Sequence, residues 1–140
     1  MTGDTLSDRA ALQPIDVLDV EERTYKEALQ ATTQTMAKFL LSSIGGRRTA
    51  ASLGLRDVRP VKGWANGTEV KQSAVEHKLR VLYRVTSSIS EVYSSDTAAA
   101  FLQSTNPQLD DRSPLAVLAT SAPEDGERAV LAATRALLEG

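Results

Sequence analysis

The sequence contains no cysteine and one histidine, His77. A thiolate nucleophile, a cysteine-ligated zinc or iron–sulfur site and a histidine-pair metal site built by one chain are therefore excluded. Most catalytic chemistries go with them, so neither a cofactor nor a catalytic residue is expected. No apolar run approaches the roughly 18 residues a membrane span requires, and no membrane partner is expected. Met1 to Ala11 lack the basic start and apolar centre of a secretory leader, which together with the missing cysteine predicts a cytoplasmic protein. No stretch alternates apolar and polar residues with a sustained period of two, and no internal repeat is visible. At 140 residues the chain has room for one compact domain or two small helical subdomains.

What is present is an uneven distribution of charge. The net charge is −2, yet residues 1–37 hold 3 basic and 7 acidic side chains, residues 38–84 hold 10 and 3, and residues 85–140 hold 3 and 8. The centre is thus +7 between ends of −4 and −5. A basic segment flanked by acidic ones is expected when one part of a chain meets a polyanion and the others do not. Lysines and arginines on the solvated faces of ordinary helices would give the same count.

Apolar spacing predicts an all-α fold. Residues 1–19 carry no sustained period and read as a mobile N-terminal arm. From Val20, the residues Tyr25, Ala28, Leu29, Thr32, Met36, Phe39 and Leu40 recur at helical spacing, predicting one long amphipathic helix that stops at Gly45-Gly46. A short helix follows from Arg47 to Leu53, and after Gly54 a third is capped by Asp57, with Pro60 in its first turn and Asn66-Gly67 at its end. Ser73 and Glu76 have capping-box spacing, and behind them Val75, Leu79, Leu82, Val85, Ile89 and Val92 form one stripe. Asp96 to Gln103 reads as a helix stopped by Asn106-Pro107, and Ser113-Pro114 starts another with Leu115 and Leu118 buried. After a loop from Ser121 to Gly126, Val130, Leu131, Thr134, Leu137 and Leu138 mark a closing helix.

Chemistry concentrates between Arg47 and Gly67. Two short helices joined by a glycine-containing turn have the plan of a helix-turn-helix, and the positive charge falls on them. The second helix of such a unit enters the major groove by its N-terminus, which assigns Arg56, Arg59 and Lys62 to base edges or phosphates and Arg47 and Arg48 to the DNA backbone. Asn66, at the end of that helix, completes the DNA-facing set. Trp64 is expected to anchor the unit to its core rather than to stack on a base. His77 lies on the polar side of its helix without a serine and aspartate at triad spacing, and reads as a solvated histidine. Asp110-Asp111 and Glu124-Asp125-Glu127 lack the spaced ligands and turning glycine of a calcium loop, so no metal site is assigned. Gly45-Gly46-Arg47 lacks the Lys-Ser/Thr ending of a phosphate-binding loop.

Leu53-Gly54-Leu55 and the tail from Val61 to Gly67 resemble the divergent Xre-type helix-turn-helix of antitoxins whose toxins carry a RES domain. Phe101 to Leu115, with Asn106-Pro107 and Ser113-Pro114 at its turns and a closing helix ending at Leu137-Leu138-Glu139-Gly140, is similar to the toxin-binding domain of that family. The resemblance spans about residues 38 to 140 and departs from the family at Asp110-Asp111-Arg112, where a glycine often precedes the basic residue. It implies a type II antitoxin that neutralises a RES-domain, NAD-consuming toxin and represses its own operon. Residues 20–93 would form the DNA-binding domain and 94–140 the toxin-binding domain, with Arg112, Arg135, Leu138, Glu139 and Gly140 at the partner surface and Leu137 in the core.

The expected partners are therefore double-stranded operator DNA, a RES-domain toxin and a second copy of the chain, because a single helix-turn-helix covers little DNA and two copies read paired half-sites. Two other functions fit the same residues. One is a stand-alone helix-turn-helix transcription regulator whose C-terminal domain only dimerises; the other is a structural adaptor whose basic centre binds protein.

Overall fold

The computed structural model describes residues 16–140, and among them every regular element is helical. The elements are α1 (Val17–Gln30), α2 (Thr33–Ser43), α3 (Gly46–Ser52), α4 (Arg59–Ala65), α5 (Ser73–Val92), α6 (Ser95–Gln103), a 3-10 turn (Pro107–Leu109), α7 (Pro114–Thr120) and α8 (Pro123–Glu139). The all-α expectation holds. Most of the N-terminal arm, residues 1–15, lies outside the described residues, whereas residues 17–19 already belong to α1.

The longest helix, α5, lies at the centre. Leu79, Leu82, Val85 and Ile89 are fully buried along one stripe, and Val81, Thr86 and Ser88 widen it so that neighbours pack on more than one side. Helices α1, α2, α6 and α8 all contact it, and α3, α4 and α7 join through α2 and through one another. The resulting core runs without interruption from Met36 in α2 to Leu138 in α8. Core residues on both sides of residue 93 belong to this one cluster. Between α2 and α5, Phe39 meets Tyr83 edge to face at 5.2 Å, and burial pushes the Tyr83 hydroxyl above its ordinary pKa.

Five expectations are corrected here. The long first helix is two, because Thr32 leaves the helical region and its hydroxyl accepts from the Thr35 N–H, opening α2. On α1 the buried line is Val20, Thr24 and Ala28, leaving Tyr25 and Leu29 exposed. The capping box at Ser73 does not form: Gln72 occupies the cap position without a side-chain bond, and Glu76 pairs with Arg80 at 2.9 Å instead. On α7 the buried residues are Pro114, Val117 and Leu118, with Leu115 only partly covered. The closing helix α8 begins inside the expected Ser121 to Gly126 loop. Gly126 allows this, since a Cβ there would lie 2.9 Å from the Ser121 Cβ and 3.1 Å from the Val117 carbonyl oxygen, so α7 and α8 pack through the missing side chain.

Among the contacts that tie α1 to the rest, two arginines make hydrogen bonds. Arg23 donates twice to the Glu91 carboxylate, at 2.6 and 2.5 Å, which holds Glu91 below the usual carboxylate range. Because the folded value is depressed, this contact stabilises above the ordinary carboxylate range and is lost as pH falls through the lowered value. From α5, Arg80 donates to the carbonyls of Ala28 and Ala31, both at 2.8 Å, closing the C-terminal end of α1.

The two candidate caps make opposite predictions. Thr32→Ala should cost about 1 kcal/mol through loss of a formed N-cap, whereas Ser73→Ala should stay within about 0.5 kcal/mol of wild type. Urea unfolding of both variants checks the pair.

Candidate nucleic-acid interface

Helices α3 and α4 are seven residues each and are joined by residues 53–58. Helices this short form no stable structure alone and depend on the surface that holds them. For α3 that surface is α7 as well as its neighbours: Gly54, at φ +74°, ends the helix so that its N–H reaches Ala51 O and the Leu55 N–H reaches Ala50 O. A Cβ on Gly54 would meet the Ala119 carbonyl oxygen at 3.2 Å. Lys78 donates to that same carbonyl at 3.3 Å. For α4 the support is α2, where the buried Val61, Trp64 and Ala65 face the core and Gln34 donates to Ala65 O at 3.2 Å.

The opposite face of α4 is exposed and carries Arg59, Lys62 and Asn66, at steps of three and four residues. Arg56 on the turn and Arg47 near the start of α3 are exposed beside it. Asp57 performs the capping expected of it in part, since its Oδ1 accepts from the Arg59 N–H at 2.8 Å although Val58 is the cap residue. The same carboxylate holds the Arg59 guanidinium at 2.5 Å. Hydrogen bonds from that guanidinium and from the Arg59 N–H keep Asp57 below the usual carboxylate range. The charge of Arg59 is therefore partly offset by Asp57, while Arg47, Arg56 and Lys62 form no ion pair among the described residues.

Arg48 is not placed as expected. It is half-buried, and Nη1 donates to the Ile44 carbonyl at 3.0 Å, so the side chain closes the end of α2 instead of facing outward with Arg47. Trp64 is 6 % exposed and packs in the core, as its position implied. His77 is exposed and its Nε2 lies 2.7 Å from Glu127 Oε2, linking α5 to α8.

In the C-terminal segment, the Asn-Pro and Ser-Pro signals build one compact loop. The Asn106 side chain accepts from the Gln108 N–H, and its carbonyl accepts from Leu109 and Asp111. Its own N–H donates to Arg112 O. Asp110 and Asp111 both adopt positive φ, 55° and 61°, the region where glycine is unstrained and aspartate is among the tolerated residues. Arg112 donates to Ala116 O and Thr120 Oγ1, strapping α7 after the Ser113 cap. It is exposed but serves its own loop. Arg135 lies between Glu21 and Glu139, at 3.7 and 3.5 Å, bridging α8 to α1.

Leu138 contradicts its assignment to the partner surface. It is 5 % exposed and belongs to the core, while Leu137, assigned to the core, is only partly buried. Glu139 and Gly140 are exposed as expected. Leu137 instead lines a groove of about 440 Å³ with Tyr93, Phe101, Ala133 and Ala136, and the Tyr93 hydroxyl donates to Leu137 O at 3.0 Å. Tyr93 carries no periodic signal, because it lies one residue beyond Val92, the last position of the α5 stripe.

No protein-family model, curated protein or solved structure matches the chain. The site stands on its own geometry. Trp64→Ala should cost about 3 to 5 kcal/mol, and a calorimetric melt should fall accordingly; a melt at the wild-type temperature would mean that Trp64 does not anchor α4.

Proposed function

We propose that the chain is a DNA-binding antitoxin and autorepressor, which reads operator DNA with α3 and α4 as a helix-turn-helix and neutralises a RES-domain toxin through its acidic C-terminal segment. The observation that carries this reading is the two-faced α4: Val61, Trp64 and Ala65 hold it to the core while Arg59, Lys62 and Asn66 face outward beside Arg56 and Arg47. A recognition helix needs that division, because base readout requires a rigid presentation of a few side chains at a groove. The protein has no catalytic role in this reading.

The toxin half rests on the resemblance stated above and on the groove between α6 and α8. Its apolar walls, Tyr93, Phe101 and Leu137, offer the kind of anchor that supplies most of the affinity at a protein interface. The acidic charge of residues 85–140 repels DNA and favours a basic partner.

Three outcomes test the reading. Affinity for a duplex taken from the chain's own upstream region should fall with salt, and Arg47→Ala or Lys62→Ala should each lower the log-log slope by about 0.9 per lost phosphate contact. Asp57→Asn keeps a cap acceptor but releases Arg59, so it should tighten DNA binding and steepen the slope; an unchanged slope would mean that Arg59 does not reach phosphate. Ala136→Arg, which fills the C-terminal groove, should leave operator binding intact and abolish rescue of cells expressing a RES-domain toxin encoded beside this chain. If the variant still rescues, the groove is not the neutralising surface; an unmodified chain that binds operator DNA but gives no rescue would be a stand-alone regulator.

A further inference from the structure

The outer side of α1 carries three large apolar groups in line. Leu18 is 62 %, Tyr25 45 % and Leu29 58 % exposed, and with Glu22 they fall on one helical face, away from the buried Val20, Thr24 and Ala28. Single exposed leucines are ordinary, but a continuous line of them marks a contact surface. Tyr25 and Leu29 also form one wall of a shallow groove whose opposite wall includes His77, Arg80, Val81 and Arg84 of α5. Arg80 is committed to Glu76 and to the end of α1. Arg84 lies over the Tyr25 ring, 4.9 Å from its centroid, and forms no ion pair among the described residues.

The two halves of α1 are complementary to each other. Its N-terminal half holds Leu18 with Asp19, Glu21 and Glu22; Arg23 there is taken by Glu91 and Glu21 faces Arg135. Among the described residues Glu22 meets only Lys26 of the same helix, at 3.1 Å in a solvent-exposed pair that a partner's arginine can replace. Its C-terminal half holds Tyr25 and Leu29 beside the cationic Arg84. When two such helices are laid antiparallel, pairing Leu18 with Leu29 puts the two-fold axis between residues 23 and 24. Pairing Glu22 with Tyr25, and hence with Arg84 above its ring, gives the same axis. Apolar and charged pairs thus share one register, which is what a self-complementary two-fold contact requires.

We infer that a second copy of this chain docks on this face, with α1 antiparallel to α1, Leu18 of each copy against Leu29 of the other and Glu22 of each facing the other's Arg84. The inference deepens the function proposed above by giving a surface to the second copy that paired half-sites call for, and it rests on that reading, but its test uses neither DNA nor toxin, so the surface can fail while operator binding stands.

Sedimentation equilibrium of the full chain over a range of concentrations should give twice the 15.0 kDa mass of one chain. The double variant Leu18→Asp, Leu29→Asp should sediment as one chain with its helical circular dichroism retained, since both side chains lie outside the core. Glu22→Arg and Arg84→Glu should each weaken self-association by about tenfold or more through like-charge contacts, and the two together should recover most of that loss. Wild-type protein that stays at 15.0 kDa, a double aspartate variant that still dimerises, or a combined charge reversal no tighter than either single one would each overturn the proposal.

Discussion

Everything in this fold leans on the buried side of α5. Leu79, Leu82, Val85 and Ile89 are completely covered, and the helices that cover them, α1, α2, α6 and α8, come from both sides of α5 in the chain. A large-to-small change in such a stripe removes apolar contact from several neighbours at once and leaves a cavity that cannot collapse. The short α3 and α4 inherit their positions from this arrangement, because α2, which carries α4, is itself packed on α5. The exposed basic face of α4 is therefore a consequence of core packing and not of any intrinsic stability of a seven-residue helix.

Charge in the central segment is divided between building and display. Arg48 and Arg80 close the ends of α2 and α1 by donating to backbone carbonyls, Lys78 reaches Ala119 O, and Arg59 is held by Asp57. Arg47, Arg56 and Lys62 remain pointed at solvent. Guanidinium groups suit the first task because a helix C-terminus leaves carbonyls without partners and attracts cations. The charge asymmetry visible in the sequence is thus real but overstates the positive surface available to a polyanion.

The helical fold was legible where burial follows a single stripe, as on α5, and where a cap residue precedes proline, as at Ser113-Pro114. It was illegible where two structures share one pattern. Ala28, Thr32 and Met36 keep helical spacing across the break between α1 and α2, and Thr32 serves as a cap while looking like one more position on the stripe. At the end of α8, Leu137 and Leu138 are adjacent, and periodicity alone leaves open which one turns inward; packing against the core selects Leu138. Ser73 forms no capping box because the helix starts one residue earlier than that spacing implies, with Gln72 at the cap position, and Glu76 meets Arg80 instead. The exposed set of the candidate site was mostly legible, since Arg47, Arg56, Arg59, Lys62 and Asn66 all face outward, whereas Arg48 required knowledge of where the Ile44 carbonyl lies.

The central claim, that the outer face of α4 meets duplex DNA, is tested most directly by following backbone amide signals of the full chain by nuclear magnetic resonance as an upstream duplex is added. The account predicts shifts that cluster on residues 47 and 56–66, with α6 and α8 little changed. Shifts confined to α6 and α8, or no shifts at low salt, would contradict it.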